Sequence, residues 1–228
     1  MNVDTMRKVD YFLGVPLCFA GTLVKNLIAF IAPHRKDPGP KNILLLELSE
    51  MGSTILADPA MRMLKRDLKA NIFFAIFKKN RPSLELLGTV PAENVFTIDD
   101  GSLPGLAADA VSFLFWTRRN RIDTVIDMEL FSRFTALLAG FSGAQRTVGF
   151  HAFHNEGLYR GNFLTHKVIY NPHLHMSKNF IALANALKTD AREFPMSKTF
   201  ISDEEVWLPK VTISGPARQA MQRKIGAA

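Results

Sequence analysis

Short apolar runs that recur between stretches of helical spacing constrain this chain more than any other feature. The runs lie at 43–48, 72–77, 94–98, 122–128, 146–150 and 167–170, and helical patterns occupy 54–69, 80–88, 104–119, 131–141 and 175–188. An uninterrupted apolar strand such as Ile72-Phe73-Phe74-Ala75-Ile76-Phe77 is apolar on both faces, as in a parallel sheet covered by helices on each side. Strands that alternate with helices need crossover connections. The expected fold class is therefore α/β, a Rossmann-like and mostly parallel sheet, without internal repeats or low-complexity tracts.

The first strand points to where a ligand would sit. Ile43-Leu44-Leu45-Leu46-Glu47-Leu48 breaks into Ser49-Glu50-Met51-Gly52-Ser53-Thr54 before helical spacing resumes. A tight polar turn between a strand and a helix aims backbone N–H groups and small hydroxyls beyond the strand's carboxyl end, where open α/β sheets bind ligands. The turn lacks G-x-G-x-x-G, and G-x-x-x-x-G-K-[ST] occurs nowhere in the chain, which argues against a dinucleotide dehydrogenase or a P-loop ATPase.

Residues 1–36 read as a separate module. Tyr11 to Pro33 is mostly apolar, with Arg7 and Lys8 before it and His34, Arg35 and Lys36 after it. The outline resembles a signal peptide, but no small-residue cleavage site precedes the globular part. It is barely long enough to span a bilayer, and Lys25 and Asn26 interrupt it. On a helix, Asp10, Gly14, Cys18, Thr22 and Lys25 form a narrow polar stripe. A broad face of Phe12, Leu13, Leu17, Phe19, Leu23, Leu27 and Phe30 lies opposite. This pattern suits an amphipathic helix in the membrane interface, its basic ends drawn to anionic lipid; the alternative is a helix packed on its own domain. Asp37-Pro38-Gly39-Pro40 stops any helix, so 37–41 is a linker to a globular domain over 42–190. Residues 191–228 follow as a second linker and the start of a further unit.

Composition narrows the partners. With 228 residues, 47% of them apolar and 21% charged, the chain can bury a full core as one domain. A net charge of +7 favours an anionic partner such as a phosphate, a nucleotide or an acidic headgroup. Arg118, Arg119, Arg121, Lys78, Lys79 and Arg81 are not interleaved with aromatic residues, so no nucleic-acid partner is expected. The single Cys18 excludes an intramolecular disulfide and a cysteine zinc site, and is compatible with a reducing compartment.

The order and spacing of several segments resemble glycosyltransferase family 9, the heptosyltransferase-like enzymes of lipopolysaccharide assembly. The segments are Ile43 to Ser53, Ala57-Asp58-Pro59-Ala60, Leu64-Lys65, Asp127-Met128-Glu129, Leu138 to Phe150, Thr165-His166-Lys167-Val168 and Asn179-Phe180-Ile181-Ala182-Leu183. The resemblance covers roughly residues 42 to 190. It implies the N-terminal, acceptor-binding half of a GT-B fold, with inverting transfer from a nucleotide-sugar donor, ADP-linked, and no other cofactor. It also implies a lipid-linked saccharide acceptor met on the cytoplasmic, inner face of the membrane. A complete donor domain does not fit in the residues after 190, so the donor half is expected from elsewhere in a longer product or from a separate chain. The 228-residue chain alone is expected to be inactive.

Members of this family commonly carry an acid directly after the glycine of the first turn, taken as the general base, and here that position is Ser53. A serine hydroxyl cannot take a proton at neutral pH without a base of its own. Glu50, three residues earlier in the same turn, is the nearest replacement, against the alternative that it caps the helix or forms a surface ion pair. Ser49, Gly52, Ser53 and Thr54 would line the acceptor site or cap the helix. Asp127 and Glu129 end a buried strand and would emerge near the same crevice, either to bind sugar hydroxyls or assist the base, or else to cap with Ser132 or pair with Arg133.

His151 to His175 is rich in cations and polar rings, but shows no metal-ligand spacing such as H-E-x-x-H, and the resembled family needs no metal. In this loop Arg160, Lys167 and Lys178 suit phosphate or sugar-acid groups, with Tyr159 or His154 packed on a sugar face; the alternative is a solvated loop across the sheet edge. Two functions remain open: a membrane-associated glycosyltransferase represented by its acceptor domain, and a non-catalytic sugar-binding or scaffold remnant of one.

Overall fold

The computed structural model describes residues 3–31, 39–151, 158–190, 200–208 and 215–226. Its centre is a six-stranded sheet of β1 (Asn42–Leu46), β2 (Asn71–Phe77), β3 (Val95–Ile98), β4 (Thr124–Asp127), β5 (Arg146–Phe150) and β6 (His166–Val168), in the order β3-β2-β1-β4-β5-β6. Every pairing in it is parallel. The helices are α1 (Val3–Phe12), α2 (Gly14–Ile31), α3 (Met51–Leu56), α4 (Asp58–Leu68), α5 (Pro82–Leu87), α6 (Leu103–Arg119), α7 (Arg133–Phe141), α8 (Met176–Asn185) and α9 (Gly215–Gly226).

The strand runs are apolar throughout because each faces two cores. On one side Ile43 and Leu45 of β1 and Ile72, Phe74 and Ile76 of β2 pack with Met61 and Leu64 of α4 and Phe180 and Ile181 of α8. On the other, Leu44, Leu46, Phe73, Ala75 and Phe77 meet Phe113 of α6 and Leu138 and Ala139 of α7. The two sets alternate along each strand, as the pleat requires. Chain order runs outward from β1 to β3 on one side and from β4 to β6 on the other. The crevice between the carboxyl ends of β1 and β4 is therefore a topological switch point.

One expected helix differs. The pattern over 54–69 is two helices, α3 beginning at Met51 and α4 at Asp58, with Ala57 between them as C-cap of one and N-cap of the other. Pro59, in the first turn of α4, lacks the N–H that a continuous helix would use.

The N-terminal module is also two helices, and it sits on the domain by its polar stripe. The Asp10 carboxylate accepts from the Arg133 guanidinium at 3.0 Å and from the backbone N–H groups of Arg133 and Phe134 at 2.8 and 3.1 Å. A carboxylate at the start of α7 meets orphan donors there. Cys18 is buried in a small cluster with Ala136 and Phe163. The Thr22 hydroxyl accepts from the Asn162 N–H at 3.0 Å, and Lys25 Nζ donates to the Phe163 carbonyl at 2.5 Å. Gly14 fits because any Cβ there would stand 2.8 Å from Arg133 Cδ. The stripe thus faces inward, and the apolar face of α2 is the exposed one: Leu17, Phe19, Leu23, Leu27 and Phe30 are all more than half exposed, Phe30 at 90%.

Gly140 of α7 gives the tightest part of this junction, since a methyl group there would overlap the Phe163 ring. Gly140→Ala is expected to destabilise the protein by about 1–3 kcal/mol in urea unfolding, with the sheet cores retained.

Candidate functional site

At the switch point, Leu46 of β1 is in register with Asp127 of β4. The chain leaves β1 through Glu47 and Leu48 and turns at Ser49 and Glu50 into α3. It leaves β4 through Met128 and Glu129. Glu129 joins the two turns: its Oε1 accepts from the backbone N–H groups of Leu48 and Ser49, each at 3.0 Å, and from the Ser49 hydroxyl at 2.6 Å. From below, Asn80 Nδ2 donates to the Leu48 carbonyl at 2.8 Å.

Glu50 is the N-cap residue of α3 with extended backbone, yet its side chain makes no capping hydrogen bond. It is exposed, and its Oε2 accepts from the Ser53 hydroxyl at 3.4 Å. No atom would obstruct a Cβ at the exposed Gly52. Thr54, by contrast, is fully buried, and its hydroxyl donates to the Glu50 carbonyl at 3.0 Å. It braces the turn from inside.

Asp127 is fully buried and ion-paired with Arg160. Arg160 uses its remaining donors on the Glu129 and Ser132 carbonyls at 2.8 and 2.9 Å and on the Thr135 hydroxyl at 3.2 Å. The partner of Asp127 is therefore Arg160, and of the alternatives left open the pair with Arg133 is not formed: Arg133 reaches Asp10 and the Tyr159 carbonyl. Ser132 caps α7, its hydroxyl accepting from the Thr135 N–H at 3.2 Å. The Tyr159 side chain is half exposed beside this network. Lys178 lies in α8 with its ammonium 2.7 Å from Asp203 Oδ1, and His154 lies outside the described residues. The structure thus brings together Ser49, Glu50, Ser53, Asp127, Glu129 and Arg160.

Sequence reasoning passed over Glu47 and Asn80, and named Arg133 only as an alternative partner of the acids at the end of β4. Glu47 is buried at the end of β1. Burial, followed by the neighbouring Glu129, Asp127 and Glu50 carboxylates, pushes its carboxyl up to about 9, so it is neutral at pH 7. Its signal was an acid inside an otherwise apolar run. Burial also raises Asp127, to about 6, against the opposing pull of Arg160, which leaves it ionised at neutral pH. Among the described residues no group of three or more histidine, cysteine, aspartate or glutamate side chains is placed to hold a metal ion.

A scan against protein-family models gives no match, and a search of curated proteins by sequence gives none. Solved structures do match. The ADP-heptose lipopolysaccharide heptosyltransferase II of E. coli superposes with a TM-score of 0.59 at 18% identity, over 81% of this chain and 50% of that one. The glycosyl transferase family 9 structure from Veillonella parvula gives 0.56 at 16%, over 84% and 50%. E. coli heptosyltransferase WaaC with ADP-2-deoxy-2-fluoro heptose gives 0.53 at 15%, over 71% and 50%. The chain spans about half the length of each. At these identities the likeness is one of fold, a parallel α/β sheet of Rossmann type that these structures share over the matched part.

Glu47 carries a testable pH dependence. Its folded-state pKa lies above the ordinary 4.5, so the stability it contributes is fully present below that value and is lost as pH rises through about 9. Asp127, raised from 3.8 to about 6, acts in the same direction over a lower window. Glu47→Gln keeps the shape of the neutral acid. It is expected to be more stable than the parent by more than about 1 kcal/mol near pH 8, the gain vanishing towards about pH 4, as read from thermal melts across pH.

Proposed function

We propose that this chain is the acceptor-binding half of a glycosyltransferase of the heptosyltransferase type. In this reading it serves inverting transfer from an ADP-linked sugar to a lipid-linked saccharide of the lipopolysaccharide-core kind, at the inner face of the cytoplasmic membrane. The donor half is supplied by further residues of a longer product or by another chain. The observation that carries the reading is the Glu50 turn at the β1–β4 switch point of a fold shared with family 9 structures.

The four carboxylates around this turn differ in what they can do. Glu47 is neutral, Asp127 is held by Arg160, and Glu129 is fixed on the Leu48–Ser49 amides. Glu50 is exposed, with a single long contact to Ser53. It is the group placed to accept the proton of an acceptor hydroxyl. The hydroxyl oxygen then bonds the anomeric carbon from the face opposite the leaving group, the bond from that carbon to the diphosphate oxygen breaks, and the nucleoside diphosphate departs on the donor side. Ser49 and Ser53 would orient the acceptor, with Tyr159 against a sugar face. Asp127, Glu129 and Arg160 position the turn.

A second reading, a sugar-binding or scaffold remnant, is favoured by Ser53, which stands where the resembled family has its acid. Assays with the donor half present separate the two. With an ADP-linked heptose and a lipid-A-core acceptor, transfer is expected, and Glu50→Gln is expected to lower kcat by about 100-fold or more with KM little changed. Unchanged turnover in Glu50→Gln would remove Glu50 as the base. Acceptor binding without any transfer would favour the remnant.

A further inference from the structure

Among the described residues nothing covers the apolar face of α2. Between Tyr11 and Ile31 the exposed side chains are apolar or aromatic, with Asn26 the one polar exception among the described residues. Phe12, Leu17, Phe19, Leu23, Leu27 and Phe30 are each exposed by more than half. Leu13, Val24, Ile28 and Ile31 are exposed beside them, so most of the outward side of the helix pair is apolar. Arg7 and Lys8 are exposed on α1 at one end of the face, and the sequence carries Arg35 and Lys36 after α2, outside the described residues. A wide apolar face with cationic ends is complementary to a bilayer with anionic headgroups.

By length and composition the stretch Asp4–Ile28, which takes in most of α1 and α2, is apolar enough to cross a membrane. Its contacts decide how it meets one. From Asp10 of α1 to Lys25 of α2 the inward edge is bonded to the domain at Arg133, Phe134, Asn162 and Phe163. A transmembrane position would break all of these bonds, or carry α7 and the 158–163 segment into hydrocarbon with their polar groups.

We propose that α1 and α2 form a monotopic membrane-seating element: α2 lies in the plane of an anionic bilayer, its apolar face in the acyl boundary and its polar edge clamped to the domain. The proposal rests on the membrane placement proposed above and not on the transfer chemistry, so its test contains no sugar or nucleotide.

The full chain is mixed with vesicles of phosphatidylcholine alone or with phosphatidylglycerol added, and floated on a density gradient. Flotation is expected with the anionic vesicles and to be weaker with the neutral ones. Leu17→Glu combined with Leu23→Glu should reduce it at least ten-fold with an unchanged melting curve, and Arg7→Gln combined with Lys8→Gln should reduce it on anionic vesicles only. Topology is read in cells. With Cys18→Ala as background, Lys8→Cys and Lys41→Cys are labelled by an impermeant maleimide in spheroplasts and in inside-out vesicles. Labelling of both positions in the same preparation supports the in-plane arrangement, and labelling in opposite preparations overturns it. Failure to float overturns it too, as does a dimer in sedimentation that the Leu17/Leu23 variant dissociates while vesicle binding is absent, since the occupant is then a second copy of the chain.

Discussion

Two guanidinium groups tie the N-terminal helix pair, the 158–163 segment and the acidic turn to the sheet domain. Arg133 joins Asp10 of α1 to the Tyr159 carbonyl, and Arg160 joins Asp127 of β4 to the carbonyls of Glu129 and Ser132. Both side chains are largely buried. A buried charge is tolerated only when it is paired and its remaining polar atoms are bonded, and the planar fork of arginine can do both at once. Neither residue could become lysine and keep these contacts. The helix pair, the 158–163 segment and the acidic turn are therefore set relative to one another by adjacent residues of one strap.

The same buried charges sort the acids at the switch point. Carboxylates placed close together cannot all remain ionised cheaply. Here the conflict is resolved by giving each a different surrounding: Glu47 is buried and protonated, Asp127 is buried with a cation, and Glu129 accepts two amides and a hydroxyl. Glu50 sits at the water-exposed edge. The arrangement leaves one exposed carboxylate above a floor of paired and hydrogen-bonded acids.

How much of this was readable beforehand depends on the distance over which the information acts. The strands were legible because apolar runs such as Ile72 to Phe77 report burial on both faces locally. The break at Ala57 was less so, since Pro59 is acceptable in a first helical turn and marks a boundary only if a cap precedes it. The Ser49–Ser53 turn and the ends of β4 were legible from strand ends and the expectation of a crevice there. The pairing of Asp127 with Arg160 across 33 positions was not, because nothing in sequence spacing joins residues that far apart, and the nearer Arg133 stood only as one alternative. Nor was the state of Glu47, which depends on three acids brought together by tertiary structure.

The N-terminal stripe shows the limit most sharply. Helical periodicity fixed the angular positions of Asp10, Cys18, Thr22 and Lys25 and of the broad apolar face opposite them, but periodicity alone does not say which side meets the protein. The usual rule turns the apolar side inward. Here the partners of the stripe are polar backbone groups at the start of α7 and in the strap, whose donors and acceptors need partners of their own, so the polar side docks and the apolar side faces out. From that docking a continuous set of bonds runs to the candidate site. Thr22 and Lys25 hold Asn162 and Phe163, Arg160 in the same segment holds Asp127, Asp127 accepts from the Glu129 N–H, and Glu129 holds Ser49. A surface that seats on the apolar face of α2 would thereby be linked through these bonds to the Glu50 turn.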